Sequence, residues 1–180
     1  MAKKKKRKEE EVEPVGYIVE LKGIFLVLIA IVGLCPFGMV ADFIKNPILI
    51  KNSYNYEKIT EKMLKQLILE DLDSFLKELG EGFCYIENEY KIKIGDRNNY
   101  IDLLLYNIKY NCFVVVELKV TELKKEYIGQ IETYMNYVDK NIKSISQDKT
   151  IGIIICKKDN EFIMEYCSDD RIFRTTYILK

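Results

Sequence analysis

Two apolar runs joined by a short polar turn constrain this chain more than anything else in it. They are YIDLLLY, from Tyr100 to Tyr106, and the stretch Cys112 to Val120, with NIKYN bridging them. Aliphatic and β-branched residues bounded by asparagines read as two strands of a hairpin. With a loop of Ile108 to Asn111, Asn107 pairs with Cys112 and the numbers of opposed residues add to 219. Asp102 then faces Glu117, with Cβ atoms about 4.5 to 5.5 Å apart. A slip of one residue would send every side chain to the other face, so the whole reading rests on this register.

Within VVVELKV, Glu117 and Lys119 are two residues apart and share a face with Val115. An E-x-K triplet in a chain rich in both residues ordinarily marks an exposed pair on an edge strand. Here Val114, Val115, Val116, Leu118 and Val120 predict a buried strand, where an unpaired charge costs several kcal/mol. Two acids held this close repel unless a cation lies between them, and a hard divalent ion takes oxygen ligands of this kind. Asp102 and Glu117 are therefore candidate ligands for Mg²⁺ or Mn²⁺. Lys119, one side-chain step away, would hold the attacking water or stabilise charge building on phosphorus. The general base would be a metal-activated water or Lys119 itself. Gln130, on the following helix, is a candidate for placing the water or the phosphate. Gln130 and Tyr134 also fit an ordinary solvent-facing polar pair at i, i+4.

The chain has no histidine, which excludes Ser-His-Asp triads, histidine-ligated zinc hydrolases and His-Asn-His nucleases. Its five cysteines (Cys35, Cys84, Cys112, Cys156, Cys167) are irregularly spaced with no C-x-x-C pair, as small buried side chains in a reducing compartment would be. Carboxylate, lysine and hard metal are what remain for chemistry. Of 28 basic and 28 acidic residues, seven and six lie in residues 1–44, leaving 21 and 22 in the rest. That near neutrality argues against a strong autonomous grip on phosphates.

Residues 1–22 open with MAKKKKRKEEEVE, opposed charge blocks that predict a disordered arm. From Gly23 to Ala41 run 19 residues without a charge, just enough to cross a bilayer as a helix. The expectation is a hydrophobic, membrane-spanning helix over residues 23–44, with a buried core helix as the bland reading and Gly33, Pro36 and Gly38 weakening its second half. The basic block would hold the N-terminus in the cytoplasm; without insertion the protein would be cytoplasmic. A linker is expected over residues 45–58, followed by one domain over 59–180. In that domain an amphipathic helix carries Ile59, Met63, Leu64, Leu67, Phe75 and Leu79 and stops at Gly80 and Gly82. Strands follow at Phe83 to Ile94, Tyr100 to Tyr106 and Cys112 to Val120. A helix over about Lys125 to Ile142 precedes a doubly buried strand at Ile151 to Cys156, and shorter strands are expected at Glu161 to Cys167 and Ile172 to Leu179. The order predicts an α/β domain, a mixed sheet flanked by helices, with a crossover leading into Ile151.

Four blocks in this order match something known: FLKELGEGF (Phe75 to Phe83), YIDLLLYNIKYNCFVVVELK (Tyr100 to Lys119), YIGQIETYMNYVD (Tyr127 to Asp139) and IGIIICKKDNEFIMEY (Ile151 to Tyr166). The segment from about Leu64 to Cys167 resembles the C-terminal domain of the YhcG-like PD-(D/E)XK nuclease family. The resemblance implies the restriction-endonuclease-like fold, Asp102 and Glu117 as metal ligands, Lys119 as the catalytic lysine and Gln130 as an auxiliary residue. The chain departs from the family pattern at Lys65, where an early helical acid is expected and Glu61 lies one turn upstream. It departs also at Asn88-Glu89, in place of Arg-Gln, and at Asn107, in place of a histidine. Residues 1–44 weakly resemble the start of FtsK/SpoIIIE-type DNA translocases, although no G-x-x-x-x-G-K-[ST] follows; a gene fusion or fragment would account for this.

Two functions compete. One is Mg²⁺-dependent hydrolysis of phosphodiester bonds in DNA; the other is an inactive nucleic-acid or protein interaction module that keeps the fold. The expected partners are DNA, a membrane through residues 23–41, and a second copy of the chain.

Overall fold

The computed structural model describes residues 44–180. The arm, the hydrophobic segment at Gly23 to Ala41 and the translocase-like resemblance all lie outside the described residues. Among those described, no helix is long and apolar enough to cross a membrane.

The hairpin read from the sequence forms the middle of a six-stranded sheet. The elements are β1 (Ile48–Ile50), α1 (Glu61–Glu70), α2 (Leu72–Leu79), β2 (Phe83–Ile94), β3 (Arg97–Asn107), β4 (Cys112–Glu122), α3 (Lys125–Asn141), β5 (Ile151–Lys158), α4 (Glu161–Glu165) and β6 (Ile172–Leu179). Across the sheet the order is β1-β6-β5-β4-β3-β2. The strands β2, β3 and β4 form an antiparallel meander, whereas β4, β5, β6 and β1 run parallel. The sheet is thus mixed, and α3 makes the crossover that a parallel β4–β5 pair requires.

The turn residues set the hairpin register. Buried Asn107 accepts from the backbone nitrogens of Lys109 (2.9 Å) and Tyr110 (3.2 Å) and donates to the Glu81 carbonyl. A side chain that mimics a backbone turn in this way anchors the loop, and Asn111 supplies the left-handed residue at φ 48°. Asn107 pairs with Cys112, and the ladder continues to Leu103 with Val116. There the pairing ends, one step short of Asp102 and Glu117.

Each face of the sheet has its own core. On one, Leu64, Leu67 and Ile68 of α1 and Phe75 and Leu79 of α2 cover Val114, Val116, Leu118, Ile153 and Ile155. On the other, Ile131, Tyr134, Met135 and Val138 of α3 cover Leu104, Val115, Ile154 and Cys156. Ile151 to Cys156 are buried throughout, as a central strand covered on both sides must be. Each fully buried aliphatic side chain contributes about 1.5–3 kcal/mol, so the periodicity of these runs decides the layering.

Three expectations are corrected. The single helix ending at Gly80 is two, because Asp71 leaves helical geometry (φ −132°, ψ 55°) and turns the chain between α1 and α2. Ile48–Ile50, inside the expected linker, is an edge strand parallel to β6. Most plainly, the strand expected at Glu161 to Cys167 is the short helix α4 followed by a turn. Both sides of β5 are already taken by β4 and β6, so a strand there could not pair with the β5 it follows, and its backbone groups find partners in a helical turn instead.

Gly152 sets how closely α3 sits on the sheet. A Cβ there would lie 2.6 Å from Met135 Sδ and 2.8 Å from Ile131 Cδ1, both fully buried. Gly152→Ala is therefore expected to destabilise the protein by about 1–3 kcal/mol, read as a lower urea midpoint at unchanged m-value.

Candidate active site

Glu117 and Lys119 project from β4 on the face covered by α3, and both are buried, at 1% and 7% exposure. Lys119 Nζ lies 3.2 Å from Glu117 Oε2 and 5.0 Å from the centroid of the Tyr127 ring, over its face. The same carboxylate oxygen accepts from Gln130 Nε2 at 3.1 Å, and Gln130 Nε2 also lies 3.2 Å from the Tyr134 hydroxyl. Gln130 and Tyr134 thus turn toward the sheet rather than to solvent. Glu117 Oε1 is buried and has no partner.

Asp102 completes the acid pair by a route the register alone did not show. Where the ladder stops, its Oδ2 accepts from the Leu118 backbone nitrogen at 3.0 Å. The side chain takes the place of a strand partner and ties β3 to β4 just beside Glu117. From the opposite layer Lys65 of α1 reaches Asp102 Oδ1 (3.2 Å) and Glu89 Oε1 (2.9 Å). Glu89 follows a register shift in β2 and has φ 51°, an uncommon conformation for a residue with a side chain. It falls between Asn88, opposite Leu103, and Tyr90, opposite Ile101, and so alongside Asp102.

The fold therefore brings together Asp102, Glu117, Lys119 and Gln130, the four residues singled out in the sequence. Residues 41–179 match the YhcG PDDEXK nuclease domain. The chain belongs to this family.

The curated protein named "Putative nuclease YhcG", from Escherichia coli (strain K12), is 24% identical to the chain over 113 residues. That alignment covers 63% of this chain but 30% of the relative, so the chain spans less than a third of that protein's length. Among solved structures, an EndoMS complex with double-stranded DNA is 18% identical and superposes with a TM-score of 0.50 over 69% of this chain and 48% of that one. A repair endonuclease from Pyrococcus abyssi is 21% identical, with a TM-score of 0.47 over 69% of this chain and 49% of its own. The EndoMS likeness is one of fold.

In this PDDEXK domain the electrostatics follow from burial. Removal from water, reinforced by nearby Asp102, pushes the Glu117 carboxyl from its usual 4.5 up to about 7, against the pull of Lys119. At Lys119 burial works toward a lower pKa, but the attraction of Glu117, Glu61 and Asp102 outweighs it and the ammonium is held above its ordinary value. Desolvation thus wins at the acid and attraction wins at the base. Among the described residues no cluster of three or more histidine, cysteine, aspartate or glutamate side chains is poised around a metal ion. The donor set that fits a hard cation is narrower: Asp102 and Glu117, whose unpartnered Oε1 is the one oxygen of the pair still seeking a positive neighbour.

The sequence marked Lys65 and Glu89 only as departures from the family pattern, with no sign of their place in the site, and gave no signal for Tyr127. Lys65 stands next to Leu64 on a helix that faces the other core, and nothing in its spacing tells that its stem runs to Asp102. An i+8 relation between Lys119 and Tyr127 across a strand–helix junction carries no periodic signal either.

A folded-state pKa above the unfolded one means that stability from Glu117 is present below about pH 4.5 and lost as pH rises through about 7. The effect is roughly 3 kcal/mol at most. In metal-free protein the decline in stability between pH 5 and pH 8 should be flatter in Glu117→Gln than in the parent, measured by urea unfolding with chelator present.

Proposed function

We propose that this nuclease domain hydrolyses phosphodiester bonds in DNA, with Mg²⁺ or Mn²⁺ held by Asp102 and Glu117. The observation that carries the reading is the orphaned Glu117 Oε1, buried beside Asp102 and within one side-chain step of a lysine. A buried acceptor without a donor is costly, and a divalent ion seated there would remove the cost. Such an ion polarises the phosphoryl oxygen and acidifies the attacking water.

The chain's own groups then divide the remaining work. Lys119 is held protonated by the acids around it, which makes it a hydrogen-bond and charge donor to the reacting phosphate rather than a general base. This supports the first of the two roles its position allows. Gln130 grips Glu117 Oε2 and so leaves Oε1 turned to the ligand position. Tyr134 backs Gln130, and Tyr127 packs over the lysine ammonium, a contact of about 0.5–2 kcal/mol. DNA is proposed as the substrate in keeping with the EndoMS complex of the same fold. One observation favours the alternative, an inactive binding module: Lys65 already neutralises Asp102 without any metal.

The full chain with Mg²⁺ is expected to cleave plasmid or single-stranded DNA, with RNA as the comparison. Asp102→Ala and Lys119→Ala should each lower the rate by about 10²–10³-fold. Mg²⁺ should also raise the melting temperature by mass action on the folded state, and Glu117→Ala should abolish that gain. Metal-dependent stabilisation without cleavage of either nucleic acid would favour the inactive module. Cleavage that survives both substitutions would come from a contaminant and defeat the assignment.

A further inference from the structure

Lys65 has no catalytic part in the reading above, yet its ammonium occupies the site. Its side chain is 14% exposed, and Nζ touches Asp102 Oδ1 and Glu89 Oε1 at 3.2 and 2.9 Å. The other Asp102 oxygen is committed to the Leu118 nitrogen. An ion that binds Asp102 through Oδ1 competes directly with Lys65 for that oxygen. Hard divalent ions sit about 2.0–2.6 Å from their oxygens. An ammonium left in place would be within a few ångströms of a double positive charge, a repulsion poorly screened inside a protein.

We propose that Lys65 is a tethered counter-cation of the acid pair: a divalent ion enters by displacing its ammonium from Asp102 onto Glu89. Two features make the exchange feasible. A lysine ammonium is a point charge on a flexible four-carbon stem, able to swing without breaking a planar bidentate geometry. Glu89 is already in contact, and its own side chain is 61% exposed, so it can follow the ammonium outward. The irregular backbone of β2, with its register shift and the φ of 51° at Glu89, is what sets this second seat alongside Asp102. In the metal-free site Lys65 and Lys119 thereby offset Asp102 and Glu117, at the cost of weaker metal binding.

The inference rests on the metal-site reading above, and its test separates the two. Mn²⁺ binding to the full chain is measured by calorimetry in the parent protein, Lys65→Met, Lys65→Arg and Asp102→Asn. Removing the tethered charge in Lys65→Met should lower the Mn²⁺ Kd by at least about tenfold. Lys65→Arg, which keeps a cation in place, should bind no tighter than the parent. Should Lys65→Met fail to fold, Lys65→Gln replaces it under the same criteria. Binding that Asp102→Asn abolishes but Lys65→Met leaves unchanged or weaker would overturn the role of Lys65 while leaving the metal site standing. No Mn²⁺ binding in folded parent and folded Lys65→Met would bring down the metal site, and the counter-cation with it.

Discussion

A carboxylate and an ammonium buried on one central strand, Glu117 and Lys119, set the terms for everything around them. Their burial is enforced by the strand, since Val114, Val115, Val116 and Leu118 must all be covered and the strand cannot rotate two of its residues out to water. Removing two charges from solvent costs more than their mutual attraction returns unless further polar groups close around them. Gln130 does so for Glu117, and Tyr127 and Asp102 for Lys119, and α3 can supply Gln130 and Tyr127 because it crosses directly over β4.

The sheet topology makes that closure possible. A parallel β4–β5 pair needs a crossover helix, and that helix must pass over the face on which Glu117 and Lys119 project. The opposite helices, α1 and α2, cover the other face, which would isolate them from the acids if the sheet stayed regular. It does not. The β3–β4 ladder ends at Leu103 and Val116, and β2 shifts register before Glu89. These two irregularities bring Asp102 between the layers and let Lys65 reach it.

The site is consequently two ion-paired groups rather than a cage of carboxylates: Glu89, Lys65 and Asp102 in one, Glu117 and Lys119 in the other, meeting acid to acid. Within the folded protein the two lysines offset most, not all, of the charge of the three acids. The buried Oε1 of Glu117 is left without a partner.

Much of this was legible before the fold was known. Strand alternation, the asparagine-bounded turn and the doubly apolar run at Ile151 to Cys156 are local features, and local periodicity decides which face of each strand is buried; the hairpin register, and hence the nearness of Asp102 to Glu117, followed from them. The sequence left Gln130 open to β4 or to solvent, and the packing of α3 on the sheet decided for β4. What only the tertiary structure decided are features that depend on which edges are free and where pairing stops. Glu161 to Glu165 follows a β5 already paired on both sides and is a helix, Ile48 to Ile50 is a strand because β6 offered an edge, and Lys65 meets Asp102 because the ladder breaks there. No residue encodes such vacancies by itself, since each is a property of the assembled sheet.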